Sequence, residues 1–256
     1  MGSFCAIGWW ARWYTFFMSK LTQHIDVIPA VVPQSFDDLR SHLAAIKAVA
    51  KHVQVDIVDG HYARGKTWPY RDRHTFEKIV TAEHGLPFWE ELDFEFDLMI
   101  ADPALHVVEY VHAGASRLVV HAASPGAYEA LQSLIELRED GGAFSIKAGI
   151  ALAAHASPDD LEHFEAQFDF VQVMGVEKEG HQGEPFDPDK KALFLVERLH
   201  KRYPLLPIQV DGGVNKDTIP QLVAAGATRL IVGSAIVKAP DPAAAYRELL
   251  DLANAS

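Results

Sequence analysis

Three short apolar runs each carry an acidic residue where an apolar side chain is expected. Val53-Gln-Val-Asp-Ile-Val-Asp-Gly-His61 places Gln54 and Asp56 two residues apart, so in an extended segment both side chains leave the same face. Phe94-Glu-Phe-Asp-Leu-Met99 does the same with Glu95 and Asp97, and Ile208-Gln-Val-Asp-Gly-Gly213 arrives at Asp211 just before two glycines. His121 ends a fourth run, Arg117-Leu-Val-Val-His121. A carboxylate in an apolar strand is costly unless it is paired, bound to a metal or set at a solvent-facing mouth. Taken singly, each is equally well read as a helix N-cap or a satisfied buried carboxylate. Three converging on one mouth are more than structure requires, and the chemistry open to such a set is proton transfer or cation binding.

The elements that would position them follow from the apolar pattern. Ile208–Val210 reads as a strand buried on both faces, and Gly212 and Gly213 let the chain turn with its backbone open to a ligand. Asn215 is placed to cap a helix with Pro220 in its first turn, and Gly226 sits where that helix must stop. Leu230–Val232 is the next strand, and Gly233-Ser234 opens another polar turn. The same alternation predicts strands near Asp26–Ala30, Val53–Ile57, Phe94–Met99, Arg117–His121, Ser145–Ile150, Phe170–Met174, Ile208–Val210 and Arg229–Val232. Helices are expected near Phe36–Lys51, Arg73–Glu83, Pro103–Ala113, Ala127–Glu139, Pro158–Gln167, Pro188–Lys201, Thr218–Ala225 and Pro242–Ala253. Strict alternation of eight and eight predicts an α/β chain folded as one (β/α)8 TIM barrel, with its site at the carboxyl ends of the strands. Ala113-Gly-Ala-Ser-Arg-Leu-Val-Val120 recurs as Ala225-Gly-Ala-Thr-Arg-Leu-Ile-Val232, an echo at half-barrel spacing.

The totals agree with one domain. The chain has 256 residues, 49% hydrophobic and 23% charged, and no Pro/Gly/Ser-rich linker divides it. A formal charge of −12 argues against nucleic acid or an anionic membrane as partner. It leaves a phosphorylated small molecule open, because backbone N–H groups hold phosphate without a basic patch. One cysteine, Cys5, excludes an internal disulfide and fits a reducing, cytoplasmic setting. Residues 1–20 stand apart as an aromatic extension, too short and too interrupted by Arg12 to span a bilayer; it reads as sequence upstream of a start at Met18, a segment packed on the barrel or a partner, or a membrane-surface anchor. The barrel is expected over residues 21–256.

Several segments resemble a known family. Val55-Asp-Ile-Val-Asp-Gly-His-Tyr62 is similar to the Asp-x-Met-Asp-Gly-x-Phe signature of the ribulose-phosphate 3-epimerases. Phe96-Asp-Leu-Met-Ile-Ala-Asp-Pro103 resembles that family's His-Leu-Met-x-x-x-Pro, and Val173-Met-Gly-Val176 with Gly180-His-Gln-Gly183 its Met-Thr-Val…Gly-Phe-Gly-Gly-Gln segment. The resemblance runs in order from about Ile25 to the C-terminus. It implies inversion of the carbon next to the carbonyl of a ketose phosphate, with Asp56 and Asp211 as the acid/base pair. It implies a phosphate cradle at Gly180, Gln182, Gly183, Gly212, Gly213, Gly233 and Ser234, and a substrate pocket including Val58, Met99, His121 and Met174.

The chain departs from the family at the site itself. The resemblance implies two histidines and two aspartates around a divalent metal; by position this chain has Gln54 and Asp97 in place of the histidines, with Asp56 and Asp211 intact. The serine after the first-strand proline is Ala30, and the Pro-Gly before the phosphate loop has become Glu177-Lys-Glu-Gly180. An all-oxygen set at Asp56, Asp97, Asp211 and Gln54 is expected to favour magnesium or manganese over zinc or iron. Without a metal, three neighbouring carboxylates cannot all stay ionised, and one should titrate high.

Two other readings stay open. Asp97-Leu-Met-Ile-Ala-Asp102 has the spacing of the Asp-x-Lys-x-x-Asp of phosphosugar decarboxylases and aldolase-type synthases, with Met99 where the lysine belongs. A non-catalytic phosphosugar-binding relative is the third reading. His61, His74, His84, His155 and His163 are expected in solvent rather than as ligands. Phe88-Trp-Glu-Glu-Leu92 is expected to form an apolar patch suited to a second subunit, so a homo-oligomer is expected.

Overall fold

A computed structural model describes residues 24–139, 145–164, 167–177, 180, 183–187 and 189–255; the aromatic extension expected at the N-terminus lies outside them. Among the described residues, eight parallel strands close into a barrel in sequence order. They are β1 Asp26–Val31, β2 His52–Val58, β3 Asp93–Met99, β4 Ala115–His121, β5 Lys147–Leu152, β6 Phe170–Met174, β7 Ile208–Asp211 and β8 Arg229–Val232. The echoed segments are thus the fourth and eighth strands, halfway round the ring from each other. No described helix is long and apolar enough to cross a membrane.

Strand residues sort by alternation. One set faces outward and joins the helices in a continuous core that includes Val53, Val55, Ile57, Phe94, Phe96, Leu98, Leu118 and Val120. The other set faces the barrel axis. There only small apolar clusters form, Val119–Ala151–Phe170–Met174 and Ile28–Ala30–Ile231. Most of the rest of the axis is polar, with Gln54, Asp56, Glu95, Asp97, Gln172, Gln209, Asp211 and Arg229 all buried and Val58 and Met99 above Asp56 and Asp97. This division places the stabilising apolar area outside the barrel and leaves the inside free for chemistry.

Several boundaries differ from the sequence expectation for local reasons. The first helix stops at Ile46 rather than Lys51, because the N–H groups of Val49 and Ala50 turn back onto the Ile46 carbonyl and bring the chain into β2. The second, Arg73–Val80, ends before Ala82, whose φ of +60° lies outside helical space. The expected Pro103–Ala113 helix divides into a 3-10 turn, Pro103–Leu105, and a helix, Val107–His112, at His106 with φ −122°. Pro158–Phe164 is 3-10 throughout. β5 sits two residues later than expected at each end. Asn215 does not cap the next helix through its side chain: its Oδ1 accepts from Asp217 N–H at 2.8 Å, and its carbonyl receives Ile219 N–H at 3.0 Å. That helix runs Ile219–Ala225 and ends on Gly226 at φ +107°.

Candidate active site at the carboxyl end of the barrel

Asp56 and Asp97 are register partners on β2 and β3, and Asp211 closes β7 beside Met174 and Ile231. One carboxylate oxygen from each of the three lies within 4.8 Å of the others. Asp97 is fully buried, and Asp56 and Asp211 are each 8% exposed. Gln54, one side-chain step deeper on β2, joins the two outer acids: its Nε2 donates to Asp56 Oδ1 at 2.9 Å and to Asp211 Oδ2 at 3.0 Å. Asp97 receives Gln172 Nε2 at 3.0 Å and has His121 Nε2 2.8 Å away. With that imidazole N–H turned to the carboxylate, His121 Nδ1 accepts the hydroxyl of Tyr62 at 3.2 Å.

The electrostatics follow from this crowding. Burial, then the charges of Asp211 and Asp97, push the Asp56 carboxyl well above the usual carboxylate range. Burial, then Asp97, push Asp211 up to about 7. Anionic groups held this close out of water are a natural cation site, and the donors are all hard oxygens in reach of one another. The three aspartates therefore fit a divalent cation. Gln54 was expected among the ligands, but it presents nitrogen to the cluster and its Oε1 accepts from Gln209 below.

Below the acids runs a second polar layer that sequence reasoning read only in part. Arg229 Nη2 pairs with Glu95 Oε2 at 2.7 Å, and Gln209 Nε2 donates to Glu95 Oε1 at 2.7 Å. Gln172 and Gln209 carried the needed signal, since each stands two residues before a mouth residue, as Gln54 stands before Asp56. Tyr62 had no such signal; only the fold of the loop after β2 brings it over His121. Asp59 organises that loop, accepting from the N–H groups of His61, Tyr62 and Ala101 at 2.7, 3.0 and 2.8 Å.

A cavity of about 240 Å³ opens above the acids. Its lining includes Asp56, Asp211, Met99 and Met174 together with Gly180, Gly183, Gly212, Gly213, Gly233 and Ser234. Gly213 has φ +67°, and a Cβ there would fall 2.4 Å from the Phe186 amide nitrogen. Gln182 lies outside the described residues. Val58 lies outside the cavity lining and packs below Gly180, where a Cβ would meet its Cγ2 at 3.2 Å. His121 also lies outside the lining and reaches the site through Asp97. An adjoining chamber of about 970 Å³ shares Val176 and Glu184 with this cavity.

His61, His74, His84, His155 and His163 stand clear of the barrel axis, and none reaches the acid cluster. Trp68, in the loop after β2, is fully buried against Phe36 and Phe76, so it is core. In the Phe88–Leu92 run Trp89 stands out of the surface, 63% exposed, while Leu92 is buried.

Comparison with known proteins agrees with this geometry. Residues 26–237 match the Ribulose-phosphate 3 epimerase family. The ribulose-phosphate 3-epimerase of Bacillus subtilis is 30% identical over 232 residues, covering 88% of this chain and 98% of that one. That of Eremothecium gossypii is 29% identical over 220 residues, covering 84% and 87%. Among solved structures, KGPDC from Streptococcus mutans superimposes with a TM-score of 0.62 at 14% identity, covering 91% of this chain and 99% of that one, a likeness of fold. With a closed parallel barrel, an acid pair at its carboxyl mouth and a family match across most of its length, the chain belongs to the ribulose-phosphate 3-epimerase family and is an epimerase acting on carbohydrate phosphates.

Proposed function

We propose that this chain inverts the carbon beside the carbonyl of a phosphorylated ketose, with Asp56 and Asp211 exchanging the proton. The observation that carries this reading is that the two acids share one cavity and one bridging N–H pair from Gln54, and that both ionise reluctantly. Near neutral pH the crowded pair then carries a proton between its two carboxyls, so that one can accept a proton while the other gives one. Asp211 takes the proton from the carbon next to the carbonyl, and the C–H electrons move into an enediolate. Asp56 delivers its own proton to the other face of that carbon, which leaves the pair in the reversed protonation state. Proton exchange with solvent returns the pair to its starting state before the next conversion in the same direction.

The glycine backbone around Gly180, Gly183, Gly212, Gly213 and Gly233-Ser234 holds the phosphate, since bare main chain admits close approach and its N–H groups favour an anion. Met99 and Met174 exclude water from the reacting carbon. Asp56, Asp97 and Asp211 would hold a magnesium or manganese ion, which suits three carboxylates better than zinc or iron. Such an ion supplies positive charge next to the developing oxyanion.

The test is solvent-deuterium incorporation at that carbon, run with ribulose 5-phosphate and a panel of pentulose and hexulose phosphates, with and without added magnesium, manganese, zinc or iron. Exchange that requires both aspartates supports the reading; binding of these substrates without any exchange refutes it. Self-association through the exposed Trp89 is a further part of the reading, checked by light scattering on the parent and Trp89→Ser proteins.

A further inference from the structure

We propose that Gln209, which meets neither substrate nor cation, is a positioning residue. It sets the direction of the buried amide ladder and so holds Gln54 as a donor to the acid pair, outside the coordination shell of a cation on the three aspartates. The inference rests on the acid/base reading of Asp56 and Asp211 and on their fitness for a cation.

The direction is imposed from the bottom of the barrel upward. Arg229 holds Glu95 in an ion pair at 2.7 Å, so the other Glu95 oxygen has only lone pairs to offer. The Gln209 atom 2.7 Å from it must therefore be nitrogen. That same nitrogen lies 2.5 Å from Gln172 Oε1 and 3.2 Å from Gln54 Oε1. Its two N–H groups face three acceptors, with the Gln54 contact the longest and therefore shared; a neighbouring amide turned nitrogen downward would set donor against donor, so both sit oxygen downward and nitrogen upward. Gln54 then donates to Asp56 and Asp211, and Gln172 to Asp97 at 3.0 Å.

All three amides are fully buried, so no bulk water relieves a wrong orientation. One cost of the arrangement remains visible: Gln209 Oε1 is buried with no partner among the described residues. Reversing Gln209 would instead set its oxygen against three acceptor oxygens, a larger penalty. A cation approaching the aspartates from above meets three carboxylates and, beneath them, N–H groups that compete with it for carboxylate oxygens. The Gln54 oxygen is already engaged on the far side.

The test is Mn2+ binding to the full-length protein, followed by the electron paramagnetic resonance of free Mn2+ and independent of turnover. In Gln54→Leu the affinity is expected to stay within threefold of the parent or to tighten, because no ligand is lost. A tenfold or greater weakening would show that the Gln54 oxygen is a ligand and would overturn the proposal. Gln209→Met keeps the volume and removes the hub donor, freeing Gln54 to turn its oxygen upward. Mn2+ should then bind at least threefold tighter, and the gain should vanish in the Gln209→Met/Gln54→Leu double variant. The same Gln209→Met protein should lose at least tenfold in kcat with KM nearly unchanged. Mn2+ affinity and kcat both within twofold of the parent would overturn the proposal, and should Gln209→Met not fold, the Gln54→Leu measurement decides alone. A parent that binds no Mn2+ would also overturn it; deuterium incorporation by that parent would show the acid/base chemistry standing without the cation.

Discussion

Replacing Asp211 by Asn should make the metal-free protein more stable at pH 8 while removing its activity. Asp211 is buried at the end of β7, and its carboxyl titrates near 7 instead of 3.8 because burial and Asp97 disfavour its charge. A carboxyl that ionises less readily folded than unfolded subtracts stability as pH rises from 3.8, and the whole subtraction is reached above about 7. That displacement corresponds to roughly 4 kcal/mol as an upper figure, at 1.36 kcal/mol per tenfold change in acidity. Asn keeps the shape and still accepts the Gln54 N–H that now reaches Asp211 Oδ2. The expected gain is therefore about 2–4 kcal/mol at pH 8, shrinking to nothing near pH 4. For a chain of this size it amounts to a melting-temperature rise on the order of 5–15 °C. The assay is urea unfolding in chelator, parent against variant, from pH 4 to 8. Adding Mn2+ should invert the order, because a bound cation stabilises the parent by mass action and the variant has lost a ligand. A variant less stable than the parent at pH 8 in chelator, or a gain independent of pH, would refute the reasoning.

Other substitutions probe other parts of the site. Asp56→Asn should cut deuterium incorporation by about 10²–10⁴-fold, the usual contribution of a general acid or base, with the unfolding curve in Mn2+ showing whether the fold survives. Gly213→Ala should weaken ribulose 5-phosphate binding, seen as a raised KM, and destabilise the fold by about 1–3 kcal/mol in urea; its φ is +67° and the new Cβ would strike the Phe186 backbone at 2.4 Å. Arg229→Met should cost about 3–5 kcal/mol at neutral pH by leaving Glu95 buried without its cation, read in the same urea assay. A parent-like midpoint would show that the pair contributes nothing.

Much of this molecule was legible in one dimension. Period-two alternation put Gln54 with Asp56 and Glu95 with Asp97 on common faces, and the barrel keeps both pairs on its axis. Apolar runs separated by helical periods marked every strand to within two residues, because strand burial on both faces is a local, unbroken signal. Gly213 and Gly226 marked turns because glycine takes a positive φ at little cost. Helix ends and 3-10 segments were read less well, since Ala82 leaves helical space at φ +60° with nothing in its residue type to announce it.

Tertiary structure alone decided how the polar residues meet. That three aspartates from β2, β3 and β7 place oxygens within 4.8 Å depends on barrel closure, which brings Gln54 of β2 against Asp211 of β7, 157 positions further along the chain. Whether Gln54 offers nitrogen or oxygen depends on Gln209, Glu95 and Arg229 on other strands, and an amide has no intrinsic preference that a sequence could reveal. Residue type and spacing established that carboxylates would gather at one mouth; only the closed ring determined which of them crowd one another out of water, which one His121 holds, and which amide faces them.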